Sequence, residues 1–181
     1  MKGVVALAGL ILCSGSICAE DIPNRLIDYE AFEDQVTEVG KIRKERRVTE
    51  KEFIRMAARR STVILDARST ERFNLLHVKG ATHLSFPDFT AEELARIIPS
   101  KDTRILIYCN NNFLNEPTAM ALKAPPASLN LHTFNALYSY GYRNVYELGP
   151  LIDISKAKIE FEGSLLAQGS WPAASAVVAQ R

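Results

Sequence analysis

The chain carries almost no excess charge and has few histidines and cysteines. Its 22 lysines and arginines face 21 aspartates and glutamates, leaving a formal charge of +1. That balance gives no electrostatic case for a nucleic-acid partner or an anionic membrane surface. Three histidines and three cysteines show no spacing suited to a metal ion. No glycine-rich phosphate loop or Ser-His-Asp arrangement occurs, and no paired carboxylates nominate a general acid and base. Neither a metal nor a cofactor is therefore expected. The most apolar stretch, Gly3 to Leu12, is too short to span a bilayer, so no stable membrane span is expected either.

What that stretch does have is the layout of an export signal. Met1-Lys2 is followed by the apolar run, then by small residues up to Ala19. Residues 1–19 are accordingly expected to be a signal peptide cleaved near Ala19, making the protein periplasmic or secreted. Lipidation at Cys18 and an uncleaved anchor are the alternatives, and Ile17 beside Cys18 disfavours lipidation. Cleavage would remove Cys13 and Cys18 and leave Cys109 alone. A lone cysteine cannot staple its own fold, and in an oxidising compartment a free thiol is either buried or used. Cleavage would also remove Lys2, bringing 22 basic residues to 21 against 21 acidic ones.

Residues 20–48 read as an N-terminal helical extension. Leu26, Tyr29, Phe32, Val36 and Val39 recur at helical spacing and predict one apolar face. The basic run Lys41, Arg43, Lys44, Arg46 and Arg47 reads as a solvated helix end, with a docking patch or a supply of charge to the site as alternatives. Thr49 and Glu52 form a capping-box pattern that opens a helix. Thr62 to Asp66 is a buried-strand pattern, Thr90 caps a further helix, and Arg104 to Tyr108 is a strand ending at Cys109. An irregular stretch with Pro117, Pro125 and Pro126 follows. A helix from Ser128 or Asn130 then ends at Gly141, and Asn144 to Leu148 is a last strand. Residues 161–181 are expected to be a partly ordered tail. Strands alternating with helices predict an α/β fold with a central, mostly parallel sheet in three layers.

Four segments carry a family resemblance. Val63-Ile64-Leu65-Asp66-Ala67-Arg68, His77-Val78-Lys79-Gly80-Ala81, Ile105-Leu106-Ile107-Tyr108-Cys109 and Tyr140-Gly141-Tyr142-Arg143-Asn144-Val145-Tyr146-Glu147-Leu148 stand in the order and spacing of the rhodanese-like domain. The resemblance spans roughly Thr49 to Leu148, within a domain drawn at 49–160. It implies an α/β sulfurtransferase or persulfide carrier in which Cys109 accepts sulfur. The implied donor is a small one such as thiosulfate or a persulfide, and the acceptor is an unspecified thiol or protein. A catalytically inactive binding module and a thiol redox sensor are the other readings.

The loop after the cysteine departs from the family. Family loops usually carry glycine and end in arginine, with a helix beginning at once. Here the candidate substrate-binding loop is Asn110, Asn111, Asn112, Phe113, Leu114 and Asn115, followed by an insertion over 114–127. Asparagine tolerates tight turns and its amide can donate to an anion, but it brings no charge. Arg68, Lys123 and the basic run at 41–47 are the nearest substitutes for the missing arginine. The absence of that arginine disfavours phosphoryl transfer. Asp66 and Arg68 are expected to pair at neighbouring strand tips and brace the loop, and His77 to be a hydrogen-bonded supporting residue.

Overall fold

The computed structural model describes residues 24–167. The expected export signal and most of the expected tail lie outside the described residues. Helix α1 (Tyr29–Arg46) runs into strand β1 (Arg47–Val48), and α2 (Glu50–Ala57) follows. Then come β2 (Thr62–Asp66), α3 (Thr70–Leu75), β3 (His77–Val78), β4 (Thr82–His83) and α4 (Ala91–Ile97). Strand β5 (Arg104–Tyr108) leads to the cysteine, and β6 (Phe113–Leu114) lies just past it. The chain closes with α5 (Leu129–Ser139), β7 (Val145–Leu148), β8 (Ile152–Asp153), β9 (Phe161–Glu162) and α6 (Ser164–Ala167).

Five of these strands form one sheet in the order β1-β7-β5-β2-β4, and every neighbouring pair is parallel. Parallel strands all end on the same edge, so the tips of β2, β5 and β7 open on one side of the molecule. Strand β5 is central, and alternation along it divides the core. Leu106 and Tyr108 pack among Phe53, Met56, Ile64 and Leu76. Ile105 and Ile107 pack on the opposite face with Leu94, Phe134, Leu137 and Val145. Each of these buried aliphatic chains contributes roughly 1.5–3 kcal/mol. The result is the expected three-layer α/β arrangement.

Local signals fix the element ends. The Thr49 hydroxyl accepts from the Glu52 N–H at 3.2 Å and the Thr90 hydroxyl from the Glu93 N–H at 3.1 Å. Gly141, at φ +86°, ends α5 in the left-handed region. Gly163 has a different reason to be glycine. A Cβ there would stand 2.3 Å from the Leu75 carbonyl oxygen, so its bareness lets β9 and α6 close on α3.

Two expectations for the N-terminal extension are corrected. Of the predicted apolar face only Val39 is buried: Tyr29, Phe32 and Val36 of α1 are exposed, and so is Leu26, which lies before the helix begins. The helix docks through its later turns: Gln35 donates to the Asn135 carbonyl, and Tyr138 donates to Glu38. Its first turns run past that contact. The basic run is not merely a solvated end. Arg43 makes a bidentate pair with Glu147 at 2.8 and 2.5 Å, and Arg47 reaches the same carboxylate at 3.0 Å. Glu147 is 2% exposed, so a buried carboxylate with two guanidinium partners ties α1 and β1 to the sheet. Arg46 lies over the Tyr146 ring.

Candidate active site

Tyr108 ends the central strand and Cys109 follows it with extended backbone, so the two side chains point to opposite sides of the sheet. On the Tyr108 side, the Asp66 carboxylate takes several hydrogen bonds. Arg68 donates to it from Nε at 3.0 and 3.1 Å and from Nη2 at 2.5 Å, and the Tyr108 hydroxyl donates to Oδ2. The remaining Arg68 donors reach the carbonyls of Leu76 at 2.8 Å and Ala119 at 3.1 Å. Burial works against the Arg68 charge, and hydrogen bonding and attraction to Asp66 more than offset it, so the guanidinium stays charged beyond its ordinary range. Burial first, and then the Asp66 charge, push the Tyr108 hydroxyl well above its ordinary value, keeping it a donor. The pair expected at the strand tips is therefore a closed, satisfied brace, and it also holds the inserted segment at Ala119.

Cys109 is 1% exposed. Its Sγ lies 3.4 Å from the Ser128 hydroxyl, and Ser128 stands at the N-terminus of α5 without capping that helix. The inserted segment thus leaves the cysteine and returns, so that the first residue before α5 touches the thiol. Sequence reasoning placed the helix start at 128 or 130 but missed this contact, which joins residues 19 apart.

The three asparagines are committed inward. Asn112 Oδ1 accepts from the Cys109 N–H at 2.9 Å, and the Asn112 N–H returns to the Cys109 carbonyl at 3.1 Å, closing a tight 3₁₀ turn. Asn112 Nδ2 donates to the Leu148 and Pro150 carbonyls, and Asn130 donates to Asn112 Oδ1. Asn110 Nδ2 donates to the Ala121 carbonyl at 2.7 Å. Asn111 exchanges two hydrogen bonds with the Lys123 backbone, at 2.8 and 2.9 Å. Asn110 and Asn111 hold a strap of residues 117–127, and Asn112 ties the turn to the 148–150 backbone, so these amides fasten backbone rather than face an open cup. Phe113 is turned into the core, edge-on to Tyr108 and Phe161. Leu114 is half-buried on β6, which pairs with β8. Asn115, at φ +68°, hydrogen-bonds Asp153, whose carboxyl is held low by Ser155 and then by Asn115. His77 stacks on Phe73 at 3.8 Å, and its Nδ1 lies 2.7 Å from the Phe73 carbonyl. None of its hydrogen bonds reaches the cysteine loop, so it supports the β3–β9 ribbon instead.

Two chambers flank the strap. One, of about 550 Å³, is lined by Ser128, Leu114, Leu131, Leu151, Pro125 and Arg43. The other, of about 400 Å³, is lined by Arg68, Arg72, Ser69, Ser85, Phe86 and Asn110. Leu122 and Lys123 line both and form the wall between them. Of the expected substitutes for the missing arginine, Arg68 is locked to Asp66 and Arg43 to Glu147. Lys123 is exposed at the wall, and Arg72, which the sequence reading passed over, opens on the second chamber. Among the described residues, no group of three His, Cys, Asp or Glu could hold a metal ion, and no helix is long and apolar enough to cross a membrane.

A family profile described as the rhodanese-like domain matches residues 49–149. Among solved structures, a rhodanese-like domain from Anabaena sp. aligns with a TM-score of 0.51 at 19% identity, covering 75% of this chain and 92% of that one. A Bacillus halodurans protein aligns with a TM-score of 0.46 at 20% identity, over 74% of this chain and 86% of that one. A thiosulfate sulfurtransferase from Pseudomonas aeruginosa gives 0.47 at 17%, over 71% and 23%. At these identities the likenesses concern the fold. No curated protein matches the sequence.

Proposed function

Because its residues 49–149 match the family profile, the chain belongs to the rhodanese-like domain family, and from that premise we propose that Cys109 is a sulfur carrier. The observation that carries the reading is the position of the thiol: it ends the central strand of a parallel sheet, in contact with the residue that opens α5. Active residues gather at the carboxyl ends of such strands, and the positive end of an eleven-residue helix favours a sulfur-centred anion.

In the loading step the Cys109 thiolate attacks the outer sulfur of a donor such as thiosulfate. A bond forms between Sγ and that sulfur, the donor's sulfur–sulfur bond breaks, and its electron pair leaves with sulfite. In the discharge step an acceptor thiolate attacks the same outer sulfur. The bond to Sγ breaks, the Cys109 thiolate is regenerated, and the acceptor departs as a persulfide anion. Neither step needs an outside oxidant. Ser128 would donate to the sulfur anion in both. Because the thiol is 1% exposed, entry requires a local opening, and the strap, whose exposed part from Leu122 to Ala127 is held to the loop through Asn111, is the segment proposed to move.

The test is the mass of the purified protein after incubation with thiosulfate. The expected result is an added mass of roughly 32 Da that cyanide removes and Cys109→Ser never shows. Wild-type protein without such an adduct from any donor would sink the reading. A second reading, a binding module that has kept the fold, is favoured by the burial of the thiol and by the loop's lack of arginine. It predicts that Cys109 resists alkylation in the native protein as completely as a core thiol.

A further inference from the structure

Granted that Cys109 carries sulfur, we infer that the two chambers divide the work: the one beside Arg72 takes an anionic donor, and the one beside Leu131 and Leu151 takes an apolar thiol acceptor. Both chambers meet the thiol's surroundings. Ser128, which touches Sγ, lines the larger chamber, and Asn110, the residue after the cysteine, lines the smaller.

Their chemistry differs. In the smaller chamber Arg72 and Lys123 have no ion-pair partner among the described residues, and the hydroxyl residues Ser69 and Ser85 stand with them. Two uncompensated cations beside two hydroxyl groups suit a doubly charged oxyanion. In the larger chamber the guanidinium of Arg43 is already taken by Glu147, and the walls are Leu114, Leu122, Leu131, Leu151 and Pro125. A thiosulfate ion entering there would lose water and meet Lys123 as its one uncommitted cation, whereas an apolar thiol would bury hydrocarbon. The wall residues Leu122 and Lys123 belong to the strap, so one movement opens the thiol to both sides.

Arg72 and Leu151 separate the two chambers cleanly, since each lines only one of them. The experiment measures steady-state transfer from thiosulfate to benzyl mercaptan, with each KM taken at saturating concentration of the other substrate. Arg72→Gln is expected to raise the thiosulfate KM about tenfold, as for the loss of one charge-assisted contact, with the mercaptan KM kept within about twofold. Arg72→Lys should restore most of the thiosulfate affinity. Leu151→Glu, at an exposed position, should raise the mercaptan KM about tenfold and leave that for thiosulfate. An unchanged thiosulfate KM in Arg72→Gln, or equal shifts of both constants in either variant, overturns the division. So does loading by an organic persulfide but not by thiosulfate. Wild-type protein that loads from neither overturns the sulfur-carrier reading itself.

Discussion

Tyr108, the last residue of β5, and Cys109, the first beyond it, are neighbours in sequence, yet the two sides of the sheet treat them differently. The tyrosine hydroxyl donates to Asp66 and accepts from the Val78 N–H at 3.0 Å, inside a network in which Arg68 uses donors on Asp66, Leu76 and Ala119. The cysteine sulfur has only neutral polar neighbours, the Asn112 N–H of its own turn and the Ser128 hydroxyl at 3.4 Å. One side is over-determined and cannot change without leaving buried charge unpaired. The other holds its thiol by packing, the Asn112 turn and one hydroxyl contact, none of them charged, so a change at the sulfur strands no buried charge. A sheet that must present a thiol in a fixed place gains from having the rigid network immediately behind it.

The largest effect should come from removing the sulfur. Cys109→Ser is expected to abolish sulfur loading in the mass measurement while changing stability by less than about 1.5 kcal/mol in urea unfolding. A large loss of stability would make the thiol a core residue and erase the contrast. Next is Arg68→Ala, which strands the Asp66 carboxylate and should cost about 3–5 kcal/mol by the same measurement. Near-neutral stability there would show that the brace is not one.

A smaller change sharpens the comparison on the cysteine side. Asn111→Ala deletes both hydrogen bonds to the Lys123 backbone, worth about 1 kcal/mol at an exposed site. If the strap covers the thiol, alkylation of Cys109 should quicken about fivefold with little change in global stability. The last effect appears only in alkali and is absent at neutral pH. The folded-state ionisation of Tyr108 lies well above the unfolded one, so its contribution is intact below about pH 10 and is lost as pH rises further. Tyr108→Phe should flatten that alkaline decline by up to about 1.4 kcal/mol per pH unit in stability measured against pH.

What the sequence revealed and what it hid divide by distance along the chain. The strands at 62–66, 104–108 and 145–148, the caps at Thr49 and Thr90, and the end at Gly141 are local signals that tertiary contacts had no reason to override. The Asp66–Arg68 pair was legible because its members are two residues apart. Nothing local reveals that Asn111 is spoken for by Lys123, or that Asn112 answers to Leu148, 36 residues on. An asparagine run reads equally as an anion cup or a fastening until its partners are known. The exposed stripe on α1 misled for a related reason: periodicity reports that a helix has an apolar side, not how far the neighbouring helix extends beneath it.

The pairing of β1 with β7 has a consequence for the order of assembly. Arg43 and its carboxylate Glu147 stand 104 residues apart, and β1 has no other neighbour in the sheet. During folding, α1 and β1, though early in the chain, must wait for the last strand of the sheet before they can dock. Closing so long a loop is slow, so the α1–β1 segment should be the final piece to lock and the first to come loose. Pulse-labelling hydrogen exchange during refolding would see β2 and β5 protected first, with β1 arriving only when Glu147 does.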